Sequence, residues 1–559
     1  MMKRFYCTLI SIIVLFLFVS FVSGSAFAGV NLKNGNFYIS YTDVVVPGGQ
    51  KLEVSRTYNS KASKIGWFGY GWGSDYETYL VVSPDGSVVI HENGSGAETR
   101  FVPGDVNAEA AAEKIVKVMR EKANLQEKAA RDLTNKLKND AELRLMYAEK
   151  FEIKSDLAAG TVLHATDRGL QELKRTKEGF ERTYNDGKTE IFNPAGKLVK
   201  VTDKTGYAVN LTYDSNNNNV LRSVKDSQAK QLFFEWHPDG KIKSAWNTEE
   251  KKASYKFDDK NNLEESTDVA GNIYKYKYDN NHNLTQIAYQ DKSSMDIKYD
   301  PKNQMVLSIK DKSGIETGYK YGSNNVNPDL HYWTMVTKPG ADSKLVTNRY
   351  EYELKKKKDG STFTYRIYTE VNGLKTETIY DEISQLPAQI TRGKHVTNFK
   401  YNNKGLLTEK NSTTGENIKL EYDDKINKIK KVVNNDGWTK FEYDKKGNLY
   451  KAENSTGKAV LLIYDRNGLI TKMVDDEKSP NKDPGNKKEK RILSFKYNAI
   501  GKPVEIVMEN VGKINVAYDN DGEIKKVESK EGHKMALEVT QAFQNLLSIV
   551  KPAGVNLNL

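Results

Sequence analysis

Cysteine is almost absent from the 559 residues, with Cys7 the single example. That excludes a disulfide framework, a cysteine nucleophile in a mature chain and any Cys-ligated zinc or iron–sulfur site. Proline and methionine are also scarce, 13 and 10 residues against 32 Tyr and 40 Gly, which suits strands and turns rather than a helical bundle. The seven histidines (His91, His164, His237, His282, His331, His395, His533) are nowhere within 40 residues of one another, so no His-Glu-x-x-His metal pair exists. Serine-elbow, P-loop and dinucleotide fingerprints are missing. Ser95 lies in Gly94-Ser95-Gly96, without a recognisable base. These gaps predict no catalytic residues, no metal ligands and no cofactor, and hence a protein that is not an enzyme.

Long apolar runs are confined to the start. Lys3 and Arg4 precede an apolar stretch from Leu9 to Val22, and Ala26-Phe27-Ala28 before Gly29 forms a small-x-small cleavage site. Residues 1–28 therefore read as a signal peptide cut between Ala28 and Gly29, which predicts export to the periplasm, cell surface or medium. No later segment approaches the about 20 apolar residues of a membrane span. Removing the two leader cations takes the formal net charge from +11 to +9. The lysines are scattered among Asp, Glu and Asn rather than set in a stripe with groove-reading elements, so nucleic acid is not expected as a partner.

What the chain has in abundance is repetition. An aromatic residue followed by Asp or Asn, a polar turn and then an aliphatic recurs, as in Tyr278-Asp279-Asn280-Asn281-His282-Asn283-Leu284 and Tyr443-Asp444-Lys445-Lys446-Gly447-Asn448-Leu449. The markers are Phe192, Tyr213, Trp236, Phe257, Tyr278, Tyr299, Tyr380, Tyr401, Tyr422, Tyr443, Tyr464, Tyr497 and Tyr518, and nine of the twelve intervals are 21 residues. Asp or Asn bonds the backbone two residues on, and Gly or Asn then takes a left-handed conformation. A second turn follows about ten residues later, as at Asp311-Lys312-Ser313-Gly314 and Asn454-Ser455-Thr456-Gly457. Two turns and two short strands fill each period, so each repeat is a hairpin, and hairpins are stable only when they pair into a longer sheet.

These tyrosine–aspartate repeats resemble the YD repeats of the Rhs family, large bacterial proteins that include toxin-complex shells and are related to teneurins. Asn34-Gly35-Asn36-Phe37, Thr42-Asp43, Pro47-Gly48, Arg56-Thr57-Tyr58-Asn59-Ser60 and Gly69-Tyr70-Gly71-Trp72 are similar to that family's N-terminal entry domain. The two resemblances cover roughly 31–104 and 175–531. They imply a β-sheet that spirals into a hollow shell, often around a cargo. The family's C-terminal core motif, with its self-cleaving aspartates and following toxin, does not appear. Asp483-Pro484-Gly485 lies in a charged insert, 475–491, between two repeats.

The expected organisation is a signal peptide (1–28), a β entry domain (29–104), a helical insertion (105–160), repeats (161–321), an irregular β segment (322–379), further repeats (380–531) and a C-terminal amphipathic helix with tail (532–559). Ala108 to Arg120 is rich in helix formers, and Leu125, Ala129, Leu133 and Leu137 recur at helical spacing before a break at Asn139-Asp140. In the tail, Met535, Val539, Ala542, Phe543, Leu546, Leu547 and Val550 make an apolar stripe suited to capping the last repeat. His237 and His282 fall in repeat turns, and Asp519-Asn520-Asp521-Gly522-Glu523 lacks the carboxylates of a calcium loop. Segment 322–379 keeps strand-like runs without the 21-residue clock, which marks it as the first place to seek a specific site. The fold class expected is mainly β: an array of YD-repeat hairpins forming a spiralling sheet or partial shell. The function expected is a non-catalytic scaffold of the envelope or medium that contacts a protein partner, a cargo or a surface glycan. A shell carrying a separately encoded toxin is the second expectation, and a glycan-active enzyme the third.

Overall fold

The computed structural model describes Phe27 to Ser529, apart from 47–51, 104–106, 166–170, 216–219, 248–250, 476–490, 499–502, 519–523 and scattered turn positions, together with Ile549. The expected charged insert and the tail stripe thus lie outside the described residues, as do Ser95, the Asp519 turn and His533. The protein is mainly β. A small antiparallel sheet is built from β1 (Phe27–Asn31), β2 (Asn36–Val46) and β3 (Leu52–Asn59). A short ribbon, β4 (Ile65–Gly66) with β5 (Gly69–Tyr70), intervenes before β6 (Trp72–Gly73) pairs with β3.

From β7 (Tyr79–Val82), β8 (Val88–Glu92) and β9 (Ala97–Val102) a far larger sheet begins, and it continues from β10 (Val162–Ala165) to β42 (Ile524–Glu528), each strand antiparallel to its predecessor. The segment expected as one entry domain, 29–104, therefore divides between two sheets. The large sheet curls back on itself at its start. Leu80 N donates to Gly196 O at 2.8 Å and Tyr79 bridges Lys197, so the first strand meets the turn before β14 (Leu198–Thr202), the eighth strand of this sheet. Gly196 has φ +83°, and a Cβ there would run into the Leu80 carbonyl. Among the described residues no register joins β42 to β7, so the sheet is an open spiral.

One repeat shows how the sequence makes its hairpins. Tyr443 ends β35 (Gly437–Tyr443), where the register with β36 (Leu449–Asn454) shifts between Glu442 and Tyr443. Asp444 Oδ1 accepts from Lys446 N and Asn448 N, both at 2.8 Å, while Gly447 takes φ +82°. The second turn repeats the device, Asn454 Oδ1 accepting from Thr456 N and Lys458 N, each at 3.1 Å. The bulge turns the marker ring along the sheet, where its polar atom reaches back to the preceding repeat. Tyr213 Oη donates to Leu198 O (2.8 Å), Trp236 Nε1 to Leu221 O (2.8 Å), Tyr278 Oη to Leu263 O (3.0 Å) and Tyr422 Oη to Leu407 O (2.7 Å). Tyr321, which falls outside the sequence markers, does the same to Val306 O at 2.8 Å.

The small sheet packs against the inner face of the spiral. Phe37, Ile39, Val54, Phe68 and Trp72 share one buried cluster with Leu232, Tyr255, Leu263, Tyr276 and Ile287. Each fully buried large apolar side chain of this kind contributes roughly 1.5–3 kcal/mol. The docking follows the repeat clock: Ile242 N donates to Trp67 O (2.8 Å), Tyr58 Oη sits between His282 O and Leu284 N (both 3.0 Å), and Val306 N donates to Gly35 O (3.0 Å). At the centre lies Arg56, with Nε 2.6 Å from Asp43 and Nη2 donating to Ser266 at 2.8 Å. Its Nη1 lacks an oxygen acceptor, and the guanidinium lies 4.7 Å from both the Tyr41 and Trp72 rings, a cation–π cage in place of a second anion.

A second cluster gathers Ile418, Leu420, Val432, Phe441, Leu462 and Met473 from the later repeats, and Ile549 is buried within it. The insertion forms three helices: α1 (Ala108–Ala123), α2 (Glu127–Lys138) and α3 (Ala141–Lys150). Asn107 caps α1 and Asp140 caps α3, so the break read at Asn139-Asp140 is a helix boundary. The helices leave β9 and rejoin at β10, and those two strands pair, so the sheet runs on beneath them.

Candidate functional site

Between the two apolar clusters the spiral has a different character. Here lie the long strands β26 (His331–Pro339), β27 (Leu345–Lys356), β28 (Thr362–Val371) and β29 (Leu374–Tyr380), then β30 (Pro387–Arg392) and β31 (His395–Tyr401). They are the irregular segment of the sequence and the first hairpin after it. Across antiparallel strands, directly paired residues share a face. Two rows run through the inner face, Tyr332–Tyr352–Ile367–Thr378–Ile390–Thr397 and Thr334–Tyr350–Thr369–Thr376.

This inner wall meets the small sheet at the β26–β28 end. Thr334 Oγ1 donates to Leu32 O at 2.6 Å, Lys33 Nζ donates to Thr364 at 2.7 Å, and the same Nζ lies 5.8 Å from the Tyr352 ring. Among the described apolar residues of these six strands only Tyr352 and Phe363 are buried. Tyr332, Tyr350, Ile367, Ile390 and Phe399 stay half-open. The wall is a strip of aromatic, aliphatic and threonine side chains with neither core seated on it.

The outer face carries an ion ladder. His331 Nε2 lies 2.9 Å from Glu351 Oε1, while Arg349 reaches Glu351 Oε2 through Nη2 (2.8 Å) and Nε (3.2 Å). Arg366 joins three strands, donating to Glu353 (3.0 Å), Glu377 (2.9 Å) and Glu351 (3.3 Å). Arg349 also lies 4.7 Å over the Trp333 ring. Burial alone would raise Glu351, but hydrogen bonds from His331 and Arg349 outweigh it and hold the carboxylate below its ordinary range. A glycosidase-type acid needs the opposite shift. This arrangement stiffens long strands that have no repeat turns to pin them, and it offers a polar, aromatic-bearing outer surface.

The other positions singled out in the sequence scatter. Ala28 and Gly29 lie in β1, opposite Ile39 and Tyr38. His282 is a turn residue at φ +63°, stacked on Tyr70 at 4.0 Å, and His237 is a turn residue against the Phe257 ring. His164 and His395 are exposed. His91 is buried between Glu98 and Glu149. Among the described residues no group of three or more His, Cys, Asp or Glu is placed to hold a metal, and no helix is long and apolar enough to cross a membrane. The sequence pointed to 322–379 through its lost periodicity, but nothing local announced the Glu351–Arg366 ladder, whose partners lie on four strands.

Residues 28–101 match a family model described as a domain of unknown function, DUF6531. No curated protein matches the chain. Among solved structures, a Photorhabdus luminescens Tc holotoxin pore bearing a TccC3 mutation is similar at 10% identity and TM-score 0.36, over 88% of this chain and 29% of that one. A TcdB2–TccC3–Cdc42 complex is similar at 10% identity and TM-score 0.34, over 89% and 31%. A porin-like protein from Bacteroides uniformis matches at 10% identity and TM-score 0.13, over 45% and 86%. The chain spans under a third of the length of these toxin-complex chains.

Proposed function

We propose that the chain is an exported, non-catalytic scaffold whose curled sheet holds or shelters a protein partner against the inner wall of β26–β31. One observation carries the reading. One neighbouring stretch of inner face is buried by the small sheet and the other holds a buried cluster that takes in Ile549, whereas this stretch presents half-open tyrosines and isoleucines in two aligned rows. Apolar surface of that kind, rimmed by polar residues, marks an interaction site rather than ordinary solvent-facing sheet. The resemblance to Rhs shells points the same way and supplies the class of partner, a polypeptide held within the curl.

Native mass spectrometry of the protein purified gently from its own source tests this. The expected result is a reproducible added polypeptide mass, lost in an Ile367→Asp/Ile390→Asp variant whose circular dichroism is unchanged. A chain with no added polypeptide in every fraction, or one whose partner survives both substitutions, overturns the reading. A carbohydrate mass instead would point to the glycan-binding alternative.

A further inference from the structure

We propose that the three-helix insertion is a cover over the β7–β9 strands, held by a protonation-sensitive latch in which His91 on β8 bridges Glu98 on β9 and Glu149 on α3. His91 is 8% exposed. Its Nδ1 lies 3.1 Å from Glu98 Oε1, and its Nε2 faces Glu149 Oε1 at 3.2 Å without the alignment of a hydrogen bond. The ring stacks on Tyr79 of β7 at 4.5 Å, and the Tyr79 hydroxyl accepts from Lys64 Nζ at 2.7 Å. Tyr79, Glu98, Glu149 and Lys64 are the titratable and charged groups brought against this imidazole, from β7, β9, α3 and the loop after β3.

An imidazole presents an N–H from both nitrogens only when protonated. Protonated, His91 carries an N–H on the side of each carboxylate, and with Lys64 the four charges cancel. Neutral, it satisfies one carboxylate and turns a lone pair towards the other at about hydrogen-bond distance. The cluster is then left with one excess negative charge beside the buried Glu149 Oε1, which has no hydrogen-bond donor of its own. Glu98 is held below its ordinary range chiefly by its bond to His91. The pair that loosens on deprotonation is the one that ties α3 to the sheet.

The remaining anchors of the cover involve no imidazole. Arg144 of α3 lies 4.0 Å from Asp85 and donates through Nη1 to Leu137 O (2.6 Å) and Lys138 O (3.1 Å), closing the end of α2. Arg100 pairs with Asp85 at 2.6 Å. Between these groups lies a cavity of about 240 Å³, bordered also by Glu98, by Ser83 and by Lys357 from the β27–β28 loop. The Ser83 hydroxyl is buried there without a hydrogen-bond partner. Ala141 N reaches Gly360 O of the same loop at 3.5 Å, so the cover spans from the first strands of the spiral to a turn on its next winding. Releasing Glu149 frees the far end of α3 while Arg144 keeps its near end pinned.

Hydrogen exchange of the full chain at pH 5.5 and pH 8.5, corrected for intrinsic rates, tests the latch. Peptides covering α3 should be about tenfold more protected at the lower pH, while β27 and β28 change little. In His91→Gln and in Glu149→Gln that pH difference should vanish. Glu149 is a partly exposed residue, so its variant keeps the test open if His91→Gln fails to fold. Equal α3 protection at the two pH values in the unmodified protein, or a difference that persists in either variant, overturns the proposal.

Discussion

The phenol of Tyr464 donates to the carbonyl of Leu449, fifteen residues earlier, at 2.7 Å. Leu449 opens a strand just after the preceding repeat's turn, so the bond crosses from one repeat to the next. Burial pushes the Tyr464 hydroxyl up to about 12, which keeps it a donor through the whole working range. The marker is therefore more than an aromatic that fills space. Its hydroxyl fixes the register between hairpins.

Tyr464→Phe keeps the ring and removes that donor, leaving a carbonyl short of its partner. The expected loss is about 1 kcal/mol of stability, read as a lower denaturant midpoint at unchanged slope. The same change at Tyr278 should cost more, because Tyr278 Oη also accepts from Trp72 Nε1 at 2.9 Å. Being far apart, the two losses should add. Equal, negligible effects would mean that the ring alone does the stapling.

Much of this is legible in the sequence alone. The 21-residue spacing, the Asp-first turns and the Asn139-Asp140 helix break are local, and local chemistry writes them into neighbouring residues. Tyr321 escapes because Gly322 follows it where Asp or Asn follows every marker but Trp236, although its hydroxyl makes the same staple. The seating of the small sheet inside the spiral is not legible. It rests on pairs such as Arg56 with Ser266 and Tyr58 with His282, each separated by more than 200 residues. The site on β26–β31 is legible only as a place where the clock stops. Its row of inner side chains depends on cross-strand register, which a single strand's alternation does not reveal.

Glu77 gives the stability a pH dependence. Its carboxylate accepts from Trp67 N (2.7 Å) and Ser74 N (2.8 Å) with no cation bonded to it, and burial pushes it up to about 8 despite those bonds. In the unfolded chain the same group ionises near 4.3. Between those values the folded protein holds a proton that the unfolded chain has released, so stability is greatest below the window and falls as pH rises through it. The contribution is at most a few kcal/mol, and less because the side chain is partly open to solvent. Denaturant midpoints at pH 5, 6.5 and 8.5 should decline in turn, and Glu77→Gln should flatten the decline. An unchanged slope in the variant would assign the effect to other groups.

Gly196 decides whether the spiral closes its first winding. Its carbonyl holds Leu80 N, its φ of +83° lies where a side chain is strained by about 1–2 kcal/mol, and a Cβ would strike the Leu80 carbonyl. Gly196→Ala must therefore either push β7 away or distort the turn before β14. Gly206, at φ +86° in an open turn, has nothing within reach of an added Cβ and serves as the control. The expected outcome is a loss of roughly 2–4 kcal/mol for Gly196→Ala, near the upper range for single substitutions, against about 1–2 for Gly206→Ala. Proteolysis should follow the same order, with new cleavage between β6 and β8 in the first variant alone. Equal costs at the two glycines would show that backbone strain, rather than the contact between successive windings, sets the requirement.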